Sequence, residues 1–261
     1  MPEPQLNFTL IQPNIVWEDK QANLDRYTKY IEDVKDKKEI IVLPEMFSTG
    51  FSMAPERLAE PMSGASVQWM KDMAAKHRCI LTGSLIIEEE GKYYNRMLWV
   101  QPDGYVYHYD KRHLFGYADE DKHYNAGDRR LIVSVKGFRI CLMVCYDLRF
   151  PVWSRNQNEE YDVLLYVANW PERRSLPWKA LLQARAIENM SYVIGLNRVG
   201  EDGNGISYSG DSSVFSPLGE LLWQKSQNPV CETVTIDKEQ VTTARAQFGF
   251  LKDADDFAIG L

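Results

Sequence analysis

Three short segments carry side chains that can act together on an acyl group. In Leu43-Pro44-Glu45-Met46-Phe47, an apolar run is stopped by proline and a carboxylate follows. Burial at a strand tip raises a carboxylate's pKa and makes it usable as a base near neutral pH. Taken alone, the plainer reading of Glu45 is a solvated acid in a strand-end loop. In Tyr109-Asp110-Lys111-Arg112-His113-Leu114-Phe115, Lys111 can donate hydrogen bonds to a developing oxyanion. Alone it reads as part of a basic surface turn, and His113 as a packed or capping histidine. In Cys141-Leu142-Met143-Val144-Cys145-Tyr146-Asp147-Leu148-Arg149-Phe150-Pro151, Cys145 leaves an apolar strand for a polar turn, where a thiolate could be exposed and stabilised. Cys141, inside the strand, reads as a small core residue, as do Cys79 and Cys231. The combination says more than its parts. Strand ends on one edge of a sheet converge, and a thiol, a carboxylate base and a lysine form a complete acyl-transfer set.

These residues need a sheet to hold them. Leu6 to Ile11 alternates as a strand, and Leu24, Tyr27, Ile31 and Val34 predict a helix over roughly Asp19 to Lys37. Ile40 to Leu43 predicts a buried strand. A helix is expected over Ser66 to Lys76, with strands over Cys79 to Ile87, Tyr94 to Val100 and, after the Pro102-Asp103-Gly104 turn, Tyr105 to Tyr109. Phe138 to Val144, Val163 to Val167, Tyr192 to Leu196 and Ser213 to Ser216 are further strands, and Trp178 to Met190 is a helix. The strands do not alternate strictly with helices, so a mixed sheet is expected. No glycine-rich phosphate loop follows a strand. Without a linker or repeat, residues 1–261 read as one domain, with the tail from about 245 packing on a neighbouring subunit.

Composition narrows the class. The chain has 261 residues, 44% hydrophobic and 26% charged, close to soluble globular proteins. A net charge of -7 argues against nucleic-acid or anionic-membrane partners, whose footprint is a basic patch. No apolar run approaches the ~18 residues of a membrane span, and Met1-Pro2-Glu3-Pro4-Gln5 lacks the features of a secretory signal. Four sparse cysteines suit a reducing compartment, so a cytosolic protein is expected. The four histidines form no H-x-x-x-H pair, and no metal site is expected.

The motifs L-P-E-M-F, Y-D-K-R-H-L-F and C-Y-D-L-R-F-P, in that order, resemble the Glu-Lys-Cys signature of the nitrilase superfamily of carbon–nitrogen hydrolases. Further matches include Ala168-Asn169-Trp170-Pro171, Gly195-Leu196-Asn197-Arg198 and the stretch from Gly210 to Glu220. Within the superfamily the chain is most similar to the omega-amidase branch, which hydrolyses the terminal amide of short dicarboxylic monoamides such as 2-oxoglutaramate and 2-oxosuccinamate. The resemblance implies a single-domain α-β-β-α sandwich and a homodimer or larger assembly, with the helix after Cys145 and the C-terminal tail as contact elements.

It also implies roles. Glu45 is the general base and acid, Cys145 the nucleophile, and Lys111 with the backbone N–H of Tyr146 the oxyanion donors, with no metal or organic cofactor. Relatives carry a second glutamate beside the lysine. Glu120 is the candidate here, with Asp119 and Asp121 as competitors. Many relatives have an acidic residue after the proline of the cysteine motif, where this chain has Val152. Arg173 or Arg174 is expected to hold a substrate carboxylate, since arginine binds carboxylate bidentately; a solvent-facing basic pair is the competing reading. Phe47, Phe115, Tyr146 and Trp170 are expected as pocket walls. Hydrolysis of a nitrile or of another small aliphatic amide or carbamoyl compound, a metal-dependent hydrolase, and a non-catalytic assembly role are the alternatives to hydrolysis of a dicarboxylic monoamide.

Overall fold

The computed structural model describes residues 3–259. Met1 and Pro2, which begin the stretch tested for a signal, and Gly260 and Leu261, which end the tail, lie outside the described residues.

In the first half the order is β1 (Gln5–Gln12), α1 (Lys20–Asp33), β2 (Ile40–Val42), α2 (Pro55–Leu58), α3 (Ala65–His77), β3 (Ile80–Glu89), β4 (Lys92–Val100) and β5 (Val106–Asp110). A short α4 (Glu120–His123) leads to β6 (Leu131–Val135), β7 (Phe138–Val144), β8 (Val163–Val167), α5 (Ser175–Asn189), β9 (Tyr192–Leu196) and β10 (Val199–Glu201). The chain closes with β11 (Ser207–Phe215), β12 (Leu221–Ser226), β13 (Val230–Asp237) and α6 (Lys238–Gln247).

The strands form two mixed sheets. The first runs β13-β1-β2-β3-β4-β5, and the second runs β10-β11-β9-β8-β7-β6 with β12 on β11. In each, the central strands are parallel: β1, β2 and β3 in one, β7, β8 and β9 in the other. Strands buried on both faces are apolar throughout, as in Ile40-Ile41-Val42 and Val163-Leu164-Leu165-Tyr166-Val167.

Period-two alternation splits each strand between two cores. Phe8, Leu10, Val42 and Trp99 face the second sheet and share a cluster with Ile140, Leu142 and Leu165. Ile11, Ile41, Leu81 and Leu98 face the other way, onto Leu24, Tyr27 and Ile31 of α1 and Val67, Met70 and Met73 of α3. On the far side Trp178, Leu182 and Ala186 of α5 cover the second sheet. The result is the expected α-β-β-α sandwich in one domain.

Boundaries moved for local reasons. Asp19 caps α1, its carboxylate accepting from Ala22 N–H at 3.0 Å. The helix ends at Asp33, before a lysine-rich stretch with nothing to bury. Helix α5 begins three residues earlier than expected, because Pro177 sits in the first turn, where its missing N–H costs nothing. No helix is long and apolar enough to cross a membrane, among the described residues.

Candidate active site

Each chemically promising residue follows a strand end. Glu45 comes after β2, Lys111 after β5, Cys145 after β7, and Asn169 after β8. Carboxyl ends of parallel strands are where layered α/β folds build sites. Here they converge on one buried polar cluster.

At its centre, Lys111 Nζ lies 2.9 Å from Glu45 Oε1 and 2.8 Å from Glu120 Oε2, and all three side chains are wholly shielded from solvent. Asn95 of β4 donates to Glu45 Oε1 at 2.8 Å and to Glu120 Oε1 at 3.2 Å. Ser84 of β3 orients that amide, its hydroxyl donating to Asn95 Oδ1 at 2.8 Å. The other Glu45 oxygen accepts Asn169 N–H at 2.8 Å, and the Asn169 side chain donates to the Glu45 carbonyl. Glu120 also accepts Phe115 N–H at 2.6 Å. Every carboxylate oxygen is therefore held, which fixes the base to within rotamer freedom.

The acidic run beside Lys111 is resolved. Glu120 is buried on the lysine, whereas Asp119 is exposed and pairs with Lys122, and Asp121 is exposed. Burial pushes Glu120 above the usual carboxylate range, with the Glu45 charge adding to it and Lys111 opposing. For Lys111, burial works against the charge, but the Glu120 and Glu45 carboxylates win and hold it above the ordinary lysine value. It stays an ammonium.

Cys145 opens a 3-10 turn over Cys145–Arg149 with φ of 44°, a left-handed conformation rare for residues other than glycine. It is 9% exposed, and its Sγ lies 4.0 Å from the Asn169 carbonyl. Burial pushes the thiol well above its ordinary value, and the Glu45 charge and hydrogen bond push the same way, while Lys111 opposes. The turn does not expose the sulfur, as the sequence had suggested it could. The resting group is a protonated thiol beside a carboxylate.

The cluster floors a cavity of about 500 Å³. Lys111, Phe115, Cys145, Tyr146, Asn169, Trp170, Arg173 and Arg174 all line it. Phe47 does not. Met46 is left-handed (φ 42°) and turns the chain, and the Phe47 ring packs 5.5 Å from Tyr27 and 5.9 Å from Trp69 in the outer core. Phe51 takes the place expected for it, with Lys111 Nζ 5.2 Å from its ring centre. Sequence reasoning also missed Arg149, Trp17 and Tyr208 in the wall, and Asn95 and Asn169 in the cluster.

Three arginines in this wall each rest on an aromatic ring: Arg149 on Trp170 at 5.0 Å, Arg173 on Tyr117 at 5.9 Å and Arg174 on Phe115 at 5.0 Å. Among the described residues none of them forms an ion pair with a carboxylate. Burial, then the like charges of Arg173 and Arg149, work against the Arg174 charge. An anion among them would relieve that repulsion. Among the described residues no group of three or more His, Cys, Asp or Glu side chains is arranged to hold a metal ion.

Two facing sheets with a thiol, two carboxylates and an ammonium at their strand ends are the architecture of enzymes that hydrolyse carbon–nitrogen bonds. This chain belongs to the carbon-nitrogen hydrolase family, whose model matches residues 8–246. It is 47% identical over 261 residues to omega-amidase YafV of Escherichia coli strain K12, covering 98% of this chain and 99% of that protein. It is 29% identical over 250 residues to the 2-oxoglutaramate amidase of Bacillus subtilis strain 168, covering 94% and 96%. A crystal structure from Xanthomonas campestris, a CN-hydrolase superfamily protein with an arsenic adduct in the active site, matches with a TM-score of 0.96 and 41% identity over 98% of this chain and 100% of that one. The enzyme class expected from the three motifs is therefore correct.

Proposed function

We propose that the protein is an omega-amidase, releasing ammonia from the terminal amide of a short dicarboxylic monoamide of the 2-oxoglutaramate or 2-oxosuccinamate type. One observation carries the reading: a cavity has the thiol, Glu45 and Lys111 at its floor and, in its wall, three arginines without carboxylate partners among the described residues. The floor suits the amide and the wall suits a carboxylate.

In the proposed reaction the Cys145 thiol gives its proton to Glu45 as sulfur bonds to the amide carbon. The thiol is held protonated in the resting site, so Glu45 has a proton to accept as the sulfur becomes the nucleophile. The carbonyl electron pair moves to oxygen, where Lys111 Nζ and Tyr146 N–H receive it. One such donor is worth about 3–4 kcal/mol. Collapse of the intermediate breaks the carbon–nitrogen bond, and Glu45 protonates the departing ammonia. Water, deprotonated by Glu45, attacks the thioester and returns the thiol. Glu120 keeps Lys111 in place and charged. Four free cysteines fit a reducing cytoplasm. Exposed apolar side chains at Val152 after Cys145, at Leu176 and Ile187 on α5 and at Phe250 in the tail fit a homodimer.

The test compares kcat/KM for 2-oxoglutaramate and for its carboxylate ester in wild type, Arg149→Ala, Arg173→Ala and Arg174→Ala. A charge-assisted pair is worth about 1.5–3 kcal/mol, so roughly a 10- to 100-fold loss is expected on the acid in at least one variant, with little change on the ester. Equal losses on both would remove the carboxylate half of the reading.

A further inference from the structure

Lys111 and Cys145 come from different sheets, yet the proposed chemistry needs Lys111 Nζ and Tyr146 N–H to meet at one oxygen atom. Something must fix the two loops against each other. Asp147 is wholly buried two residues beyond the thiol. Its Oδ2 accepts the Tyr109 hydroxyl at 2.7 Å and Val144 N–H at 3.0 Å. Its Oδ1 accepts His113 N–H at 3.0 Å, and His113 Nδ1 lies 2.8 Å away. Tyr109 and His113 flank Lys111 on either side, and Val144 and Asp147 flank the Cys145-Tyr146 pair. One carboxylate thus ties both sides of the lysine to both sides of the nucleophile.

The His113 ring is oriented for this contact. It stacks on Phe150 with centroids 3.8 Å apart and planes 6° apart, and it meets Trp153 edge-on. Trp153 Nε1 donates to the Tyr109 hydroxyl at 3.0 Å, closing a ring of contacts around Asp147. An ionised carboxylate only accepts, so His113 Nδ1 is the donor.

We infer that His113, through Asp147, is a positioning residue that sets the distance between Lys111 and Tyr146 N–H for the oxyanion, without touching the substrate. The inference rests on the proposed amidase reading. Misplacing a catalytic group by about 1 Å can cost on the order of 100-fold in rate.

The test uses the full-length protein with His113→Leu and His113→Asn, Cys145→Ala serving as control. Asparagine places an amide N–H near the position of the histidine Nδ1, whereas leucine has no donor. Three quantities are read: kcat and KM for 2-oxoglutaramate, and the rate at which iodoacetamide alkylates Cys145. Alkylation needs the thiol but no oxyanion donors. The expected result for His113→Leu is a fall in kcat of about 10- to 100-fold, with KM and alkylation within about threefold of wild type, and recovery of most of the loss in His113→Asn. An unchanged kcat in His113→Leu overturns the inference. So do an equal loss in both variants, or a parallel loss of alkylation, which marks general damage to the site. Failure of the amidase reading looks different: wild type releases no ammonia, or Cys145→Ala still does.

Discussion

At Cys145 the backbone and the side chain are both held away from their ordinary states. The left-handed φ of 44° directs the residue into the turn after β7, and burial with Glu45 keeps the thiol protonated. Strain of this kind persists only where the surroundings over-determine it, and here Asp147 and Asn169 do so. Glu45→Gln removes a charge and a hydrogen bond that push the thiol up, while Lys111 still pulls it down. Its thiol should therefore ionise at a lower pH than in wild type, seen as thiolate absorbance near 240 nm, even as turnover falls by about 10²–10⁴-fold with the base gone. A thiol that ionises at a higher pH in the variant would contradict the assigned geometry. Lys111, Glu45 and Cys145 were legible in the sequence because each motif binds one chemical residue to a strand-end signature. Asn95 was not, since an asparagine inside β4 looks like any polar strand residue until the fold brings it to two carboxylates. Phe47 was misread because nothing in its neighbours betrays the turn at Met46.

At the scale of elements, legibility followed burial. The inner strands β2, β8 and β9 carry no charged residue, β7 carries only Arg139 near its start, and all four lie close to the bounds expected from the sequence. The expected strand over Ser213 to Ser216 covers only the end of β11, because Ser209, Ser212 and Ser213 are buried as hydrogen-bonded serines rather than as apolar residues. Strands β12 and β13 are half exposed, without a clean alternation, and passed unnoticed. Helix α6 is anchored by Arg245, which donates to the Tyr161 and Met190 carbonyls and pairs with Asp162 at 3.2 Å; as a sequence feature it is one more surface charge. The packing of α5 on β9 has a sharper requirement. A Cβ at Gly195 would lie 2.4 Å from Leu182 Cδ1 and 3.0 Å from Trp178, so the helix rests directly on the strand there. Gly195→Ala should cost about 1–3 kcal/mol through overpacking, read as a lower denaturation midpoint in urea. It should also reduce turnover, because α5 follows the Arg173-Arg174 segment and Trp170 packs on Trp178 at 5.4 Å. Wild-type stability in this variant would show that the helix can move away freely.

At the scale of the whole molecule, buried titratable groups set the pH range of stability. Burial pushes Cys79 up to about 11 and Cys141 and Cys231 up to about 12. Unfolded thiols ionise near 8.5, so above about that pH the unfolded chain binds fewer protons than the native one, and stability falls as pH rises. Lys111 acts in the same sense: its folded value is raised, so its contribution is present below about 10.4 and is lost as pH climbs through the folded value. On the acid side, Asp162 and Asp211 are held below the usual range despite burial, Asp162 chiefly by Lys238 and Arg139 and Asp211 by the Ser209, Ser226 and Ser175 hydroxyls. Their contribution is present above about 3.9 and is lost as pH falls through the folded values. The thermal midpoint should therefore fall above about pH 9, and a midpoint that rises between about pH 9 and 11 would contradict this pattern. The proposed reaction makes an acyl-enzyme on one particular sulfur, that of Cys145. Its most direct test is rapid quench of the enzyme with 2-oxoglutaramate, followed by intact-mass and peptide mass spectrometry of wild type, Cys145→Ala and Cys141→Ala. The expected result is a thioester adduct of the deaminated acyl group on Cys145, present in wild type and Cys141→Ala and absent from Cys145→Ala. An adduct on Cys141, or undiminished ammonia release by Cys145→Ala, would contradict it.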